Sequence, residues 1–472
     1  MKIGLVLEGS YPYVSGGVSS WTQTLIEAMP EVEFEIISIQ PSIKRPEDMK
    51  YELPQNVSGI THLYLSDMDK KAKGRMKLDA EDERKISEWL MLKNPNRQAL
   101  GILGKQVPSS QAFFSSEFFW RNVKSAYAEE MNGGSFIDYF WMWQSMYMPI
   151  LRVLHQPLPK VDLVHSISTG YAGVVASYMK ETQGIPFILT EHGIYSRERE
   201  EEILQSYWIP SPYKPRWVRF FHHLSREAYN AADEIITLFE RNREYQEWIG
   251  APSEKTKIIA NGIDDRHIRA TLERAENDVF QIGAIVRLVP IKDLKTMIYS
   301  AKILQERHRL FKLTIMGPLD EDEEYAEECR LLIEQSGLTD YVELVGKVNV
   351  QDWLPKFDLL LLTSISEGQP LAILEGMAAG IPWVATDVGA CSELLYGRAD
   401  DPFGPAGFIV PPVHPEAIAD KVEWMMDYPR ERMRFGKNGR ERVRQYYRLQ
   451  QFVDRYKAIY EARREQYGGH RV

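Results

Sequence analysis

Cysteine is nearly absent: Cys329 and Cys391 are the two in 472 residues. This leaves no disulfide framework and fits a reducing compartment. Long apolar runs are missing as well, and nothing approaches the roughly 18 apolar residues that a bilayer span needs. The apolar start, Ile3 to Leu7, runs straight into Glu8 and reads as a strand rather than an export signal. The expected setting is the cytoplasm, with any association with the inner face of the cell membrane made through partners. Positive charge is in deficit, 57 Lys and Arg against 67 Asp and Glu, a net charge of -10. That balance argues against general nucleic-acid binding. There is no Gly-x-Gly-x-x-Gly fingerprint and no P-loop Lys-Ser/Thr, so NAD and ATP cradles are poorly supported. No Asp-x-Asp stands where it would serve a metal, and the histidines lack ligand spacing, so no cofactor and no metal are expected. Internal short-period repeats and low-complexity segments are also missing.

What is present is alternation. With 44% hydrophobic residues the chain has material for two domains, each with its own core. Lys2 to Leu7 reads as a strand, Val18 to Met29 as a helix and Phe34 to Ile39 as the next strand. Further strands are expected at Leu163 to Ser166, Phe187 to Thr190, Glu234 to Leu238 and Lys257 to Ile259. A charged segment, Ala270 to Asp278, closes this series. A second series opens at Phe280 to Val286 and continues at Leu313 to Met316, Val342 to Val345, Leu359 to Leu362 and Trp383 to Thr386. Two consecutive βα series predict an α/β fold of two Rossmann-like, doubly wound parallel sheets, 1–277 and 278–449. Ligands are then expected at the carboxyl ends of strands, in a cleft between the domains. A helical, aromatic-rich insertion near 67–159 breaks the rhythm. Its Phe113, Phe114, Phe118, Phe119, Trp120, Phe136, Tyr139, Phe140, Trp141, Trp143 and Tyr147 either form a core of their own, offer a stacking surface for sugar rings, or rest on a membrane or partner.

The segment Glu367 to Glu375 carries the most chemistry. It follows the apolar run Phe357 to Leu362, turns at Gly368 and Pro370, and enters a helix running to about Ala379. Pro370 suits the first helical position. A helix start offers unpaired N–H groups and a positive dipole end, where a phosphate is stabilised. Glu367 sits on the loop and Glu375 one turn into the helix, so one carboxylate can reach sugar hydroxyls beyond that phosphate and the other can take the two hydroxyls of a ribose. Two Glu eight apart are a weak pattern alone; the strand-turn-helix context gives it weight. Arg287 and Lys292, on the loop after the first strand of the second series, can stabilise a diphosphate, unless they are ordinary surface charges. Gly16 and Gly17 open a helix in the first series and let backbone N–H groups approach a ligand, unless the turn serves folding alone. His192, in Thr190-Glu191-His192-Gly193, can hydrogen-bond a donor-sugar hydroxyl, with Glu191 orienting it or meeting the acceptor; a loop-capping role is the rival. His222 and His223 read as helix-surface or packing residues.

Arg287, Lys292, Glu367 and Glu375, with Gly16 and Gly17, resemble the retaining glycosyltransferase family 4 with the GT-B fold, over nearly the whole chain and most strongly from Phe280 to Gly397. Three stretches, Glu8 to Trp21, Thr190 to Glu200 and Val289 to Asp293, are similar more narrowly to the glycosyltransferases of bacterial Pel exopolysaccharide synthesis. The resemblance implies a UDP-sugar donor, UDP-glucose by the Pel likeness, a hexose moved with retention to a growing polysaccharide acceptor, and a partner complex for synthesis and export at the inner membrane. It matches Arg287 and Lys292 to the diphosphate-binding cations, Glu375 to the ribose carboxylate, Glu367 to the donor sugar and His192 to its C6 hydroxyl. It places the nucleobase near Gly346, Lys347 and Val348, and the donor-binding turn at Gly368, Gln369, Pro370 and Leu371. It also implies that the last stretch, 450–472, crosses back to the first domain. Two departures stand out: Gln369-Pro370 replaces the usual Phe-Gly, and Asp293 replaces the usual Gly after Lys292. Two alternatives stay open, a GT-B sugar-nucleotide hydrolase or epimerase and a non-catalytic regulatory subunit that binds the sugar nucleotide.

Overall fold

The computed structural model describes residues 1–66, 76–131, 134–268 and 279–468. Part of the expected insertion (67–75 and 132–133) and the whole charged segment 270–278 lie outside these residues, as does the expected boundary at 277. The chain forms two compact units: Met1–Thr237, Asn242–Ile258 and Tyr456–Val472 make the first, and Leu238–Arg241 with Ile259–Arg455 make the second.

The first unit is built on seven strands, β1 (Lys2–Glu8), β2 (Glu33–Gln40), β3 (Val57–Tyr64), β4 (Leu163–Ser166), β5 (Phe187–Glu191), β6 (Glu234–Thr237) and β7 (Thr256–Ile258). All pairings are parallel, in the order β3-β2-β1-β4-β5-β6-β7. The second unit holds β8 (Phe280–Ile285), β9 (Phe311–Met316), β10 (Val342–Gly346), β11 (Leu359–Leu362), β12 (Trp383–Thr386) and β13 (Gly407–Val410), also all parallel, in the order β10-β9-β8-β11-β12-β13. The α/β expectation of two Rossmann-like parallel sheets is met. Helices cover both faces of such sheets, which is why Leu359–Leu362 is apolar and buried at every position. In each sheet the strand order reverses beside the first strand, between β1 and β4 and between β8 and β11. The loops leaving those strands at their carboxyl ends frame the crevice where open α/β sheets take ligands.

Two strands escape the sequence reading. Val57–Tyr64 carries Ser58, Gly59, Thr61 and His62 on a sheet edge, and Gly407–Val410 is four residues long, also on an edge. The first is broken by polar residues, and the second offers only Phe408-Ile409-Val410 before Pro411 and Pro412.

The insertion between β3 and β4 is helical: Ala80–Leu90, Arg97–Gln106, Ser110–Phe114, Glu117–Glu130 and Phe136–His155. Its aromatics do not form a separate core. Phe113, Phe119, Tyr139, Trp143 and Tyr147 are buried in one cluster with strand and helix residues of the first unit such as Val164 and Phe220. Tyr147 meets Phe220 edge-on at 5.4 Å, and the Trp89 indole N–H donates to the buried Glu227 carboxylate at 3.1 Å. Trp120 and Trp141 remain exposed.

The second unit is clamped by a buried ion pair. Arg442, on helix Pro429–Tyr446, donates to both oxygens of Asp401 at 2.7 and 2.9 Å and to the carbonyls of Leu394 and Leu395. Removing one partner of such a pair strands the other charge in a medium that cannot solvate it. Asp401→Ala should therefore lower stability by about 3–5 kcal/mol in chemical denaturation; a loss below about 1 kcal/mol, the range of an exposed pair, would show the pair to be dispensable.

Candidate functional site

The second unit brings the expected residues together in part, Lys292 with Glu367 and, separately, Arg287 with Lys347 and Val348. The loop after β8 passes through Arg287 and a short turn, Pro290–Lys292, and the loop after β11 carries Glu367 to Pro370. These loops are stitched together. Thr363 Oγ1 donates to the carbonyls of Lys292 and Asp293 at 3.1 and 3.0 Å, and the Ile365 N–H donates to the Ile291 carbonyl at 2.9 Å. On that frame Lys292 Nζ meets Glu367 Oε1 at 2.6 Å, with the two side chains 15% and 9% exposed. Ser364 Oγ donates to the same oxygen at 2.6 Å. Lys292 is thus a fixed, partnered cation and not a free one. Asp293, where the resembling family has Gly, sits in the left-handed region at φ 47°. Asp tolerates that conformation better than most residues, and here its side chain accepts from the Thr296 N–H, capping helix Leu294–Glu306.

Arg287 does not join this pair. It is exposed and donates to Glu321 Oε2 at 3.0 Å, on the loop after β9. It also lines a cavity of about 240 Å³ with Ile285, Val286, Met316, Gly317, Pro318, Lys347, Val348 and Val350. The expected nucleobase segment therefore lies beside the first of the expected phosphate cations. Gly346 enables the approach: its φ is +75° and β10 shifts register there against β9. Gly317 is required for a different reason, since a Cβ on it would lie 1.8 Å from the Val286 carbonyl oxygen.

Helix Leu371–Ala379 starts one residue later than expected. Pro370 is its N-cap, at φ -70° and ψ 117°, and Leu371 is the first helical residue; no side chain caps this end. Gln369 is turned inward, its Oε1 accepting from the Asn261 N–H at 2.6 Å, so this side chain holds the turn rather than facing out. Gly368 gives its carbonyl to the Ala390 N–H at 2.9 Å. Glu375 is half-buried, and burial alone raises its pKa above the usual carboxylate range. Among the described residues no hydrogen bond or ion pair engages its carboxylate.

The first unit holds the remaining candidates. Gly16 caps helix Gly17–Glu27 in extended conformation, and a Cβ on either glycine would meet nothing within 4 Å. Neither strain nor packing demands glycine here, which weakens the folding-turn reading and leaves the helix start open. His192 follows β5 directly. Its Nε2 is buried without a hydrogen-bond partner, Trp21 lies edge-on to its ring at 4.7 Å, and burial lowers its pKa to about 4, so the ring is neutral at physiological pH. Glu191 corrects the sequence reading: it neither orients His192 nor faces outward. It is buried and accepts from Tyr229 Oη at 2.7 Å, Gln246 Nε2 at 2.9 Å, the Tyr195 N–H at 3.0 Å and Thr169 Oγ1 at 3.2 Å. His222 meets Glu200 at 3.1 Å, and His223 is buried against Trp89.

Sequence reasoning passed over Thr363, Ser364, Gly317 and Gly389. A Cβ on Gly389 would lie 2.3 Å from the carbonyl oxygens of both Glu367 and Gly368, so only glycine lets that loop seat. Each of these residues follows the carboxyl end of a recognised strand, which is the signal that could have found them.

Comparison with known proteins places this geometry in a family. Residues 1–254 match the family described as Domain of unknown function (DUF3492), and residues 266–442 match Glycosyl transferases group 1. The MMP alpha-(1->4)-mannosyltransferase of Mycolicibacterium hassiacum is 24% identical over 321 residues, 66% of this chain and 72% of that one. The amylovoran biosynthesis glycosyltransferase AmsK of Erwinia amylovora is 28% identical over 259 residues, 52% of this chain and 58% of that protein, so the match spans less than two thirds of the latter. Among solved structures, sucrose-phosphate synthase from Thermosynechococcus elongatus superposes with a TM-score of 0.61 at 16% identity, covering 98% of both chains. Anabaena HepE in complex with UDP-glucose gives 0.59 at 16%, covering 98% of this chain and 100% of that one. These structures share its fold. With a match over residues 1–254, more than half of its length, the chain belongs to the family described as Domain of unknown function (DUF3492), followed by a segment that matches Glycosyl transferases group 1, on a GT-B fold.

Proposed function

We propose that the protein transfers a hexose, glucose, from UDP-glucose to a growing exopolysaccharide of Pel type, with retention of anomeric configuration and without a metal ion. The observation that carries the reading is the second unit's alignment of one cavity, two cations, an uncapped helix start and a carboxylate without a partner along the carboxyl ends of its strands. The nucleobase enters the cavity beside Lys347 and Val348, the ribose hydroxyls donate to Glu375, and the diphosphate lies between the Leu371 helix start and Arg287. Glu367, held by Lys292 and Ser364, receives the sugar hydroxyls, and the family likeness supports His192 as the residue that serves the sugar's C6 hydroxyl. The bond between the sugar C1 and the β-phosphate oxygen breaks as the acceptor oxygen bonds to C1 on the same face. The acceptor proton passes to the departing phosphate oxygen, and Arg287 and Lys292 stabilise the charge that develops. The polysaccharide acceptor is supported by relatives such as AmsK, whose name assigns it to amylovoran biosynthesis, and by the three stretches similar to the Pel enzymes. That likeness also supports a cytoplasmic enzyme working beside an inner-membrane partner complex. No described helix is long and apolar enough to cross a membrane.

Incubating the enzyme with radiolabelled UDP-glucose, with and without acceptor, tests the assignment. Acceptor-dependent transfer that persists in EDTA is expected, and free glucose released at full rate without acceptor would replace transfer by hydrolysis. A hydrogen bond to a charged group contributes about 1.5–3 kcal/mol, and about 1.4 kcal/mol is tenfold. Glu375→Ala should therefore weaken UDP binding by about tenfold or more in calorimetry; unchanged affinity would remove Glu375 from the ribose. Because the ionised carboxylate is the better acceptor and burial has raised its pKa, UDP affinity should fall as pH is lowered through that titration. Glu375→Gln should lack the fall. Arg287→Ala should reduce turnover more than it reduces donor binding, read from kcat against the UDP dissociation constant.

A further inference from the structure

His192 Nε2 is buried and has no hydrogen-bond partner among the described residues, so the ring's placement depends on what packs around it. The strand that delivers it, β5, is fixed two residues earlier by Thr190, which is fully buried. Thr190 Oγ1 hydrogen-bonds with Tyr456 Oη at 3.0 Å and with His165 Nε2 at 2.8 Å, and His165 Nδ1 hydrogen-bonds with Tyr460 Oη at 2.7 Å. His165, Tyr456 and Tyr460 are also fully buried. Trp21, the residue against the His192 ring, lies edge-on to Tyr456 at 5.6 Å and to His165 at 6.1 Å. The same tyrosine therefore braces both the backbone that leads into His192 and the indole that touches it. Burial lowers the pKa of His165 to about 3, so its ring is neutral and offers one donor and one acceptor. The chain Tyr460–His165–Thr190–Tyr456 is closed and satisfied.

A core needs no such chain for packing, since Phe and Val would fill the volume without burying four polar groups. What hydrogen bonds add is direction. Nor are the two hydroxyls needed to dock their helix, Leu449–Gly468. Lys457 pairs with Glu31, Arg463 with Glu234, and Tyr467 Oη donates to Asp233 at 3.0 Å.

We propose that Tyr456 and Tyr460, through Thr190, His165 and Trp21, are positioning residues for His192, so that the C-terminal helix sets the placement of a donor-sugar ligand far from it in sequence. The proposal rests on the assignment of His192 to the donor sugar.

The test uses the full chain carrying Tyr456→Phe and Tyr460→Phe together, beside His192→Ala and the triple variant. Expected results are a UDP affinity within about twofold of the parent, because Glu375, the Leu371 helix start and the cavity beside Lys347, to which the nucleotide is assigned, lie on the second unit, and a kcat lowered about tenfold or more. The His192 ring signals should shift in NMR. The losses should not multiply: in a residue and the group that positions it, a second change removes what the first already removed, so the triple variant should be no slower than His192→Ala. An unchanged kcat in the tyrosine variant, or losses that multiply, would overturn the proposal. If His192→Ala itself leaves turnover intact, the donor-sugar assignment fails and the proposal falls with it. Should the double variant not fold, Thr190→Val, which removes the central hydroxyl at similar volume, is held to the same outcomes.

Discussion

The second unit's candidate site depends on the stitching of two loops at a strand-order reversal. Thr363, the first residue beyond β11, takes the carbonyls of Lys292 and Asp293, and this brings the Lys292 ammonium onto Glu367. A pair so little exposed gains strongly from Coulomb attraction but loses hydration at both partners, so its net contribution to stability is small or even negative. Its value is geometric. Glu367 is held by two donors on one oxygen, which leaves its second oxygen a fixed acceptor. The glycines follow from the same requirement: Gly389 and Gly317 are close approaches of backbone to backbone under the two loops. Asp293 reaches the left-handed turn that leads out of the first loop without being glycine, and caps a helix in compensation.

The first unit solves a different problem, placing polar groups deep inside an apolar sheet. Glu191 gathers four donors, and Glu8 takes Tyr195 Oη at 2.7 Å and the Tyr171 N–H at 3.1 Å. Burial raises the pKa of both carboxyls, and their hydrogen bonds oppose the shift. Together they fasten the starts of helices Gly170–Gln183 and Tyr195–Gln205 to the strands beneath. The segments Glu8 to Trp21 and Thr190 to Glu200 therefore mix groups without a polar partner, such as His192 Nε2, with anchoring groups such as Glu191.

That mixture marks what the sequence could and could not reveal. Fold class was legible because both sheets are parallel and covered, so their inner strands are apolar runs; the edge strand Val57–Tyr64 lacks that pattern, and Gly407–Val410 holds only Phe408-Ile409-Val410 before Pro411. The second unit's candidates were legible because they sit at fixed offsets from such runs. Which way each side chain turns was not. Gln369 points to Asn261, Arg287 to Glu321 and Glu191 into the core, and each outcome depends on a partner between about 30 and 110 residues away or on several at once. The insertion's aromatics were visible as a cluster, but their membership of one continuous core depends on Phe220 and Glu227, on a helix that composition alone does not connect to them.

The attachment of Arg287 to Glu321 has a kinetic meaning. Both side chains reach solvent, 47% and 34% exposed, and contacts of that kind hold by at most about 1 kcal/mol. A guanidinium so lightly tethered exchanges partners without a sizeable barrier. Arg287 thus rests on a weak local anion beside the 240 Å³ cavity, and a rise in ionic strength would loosen that pair.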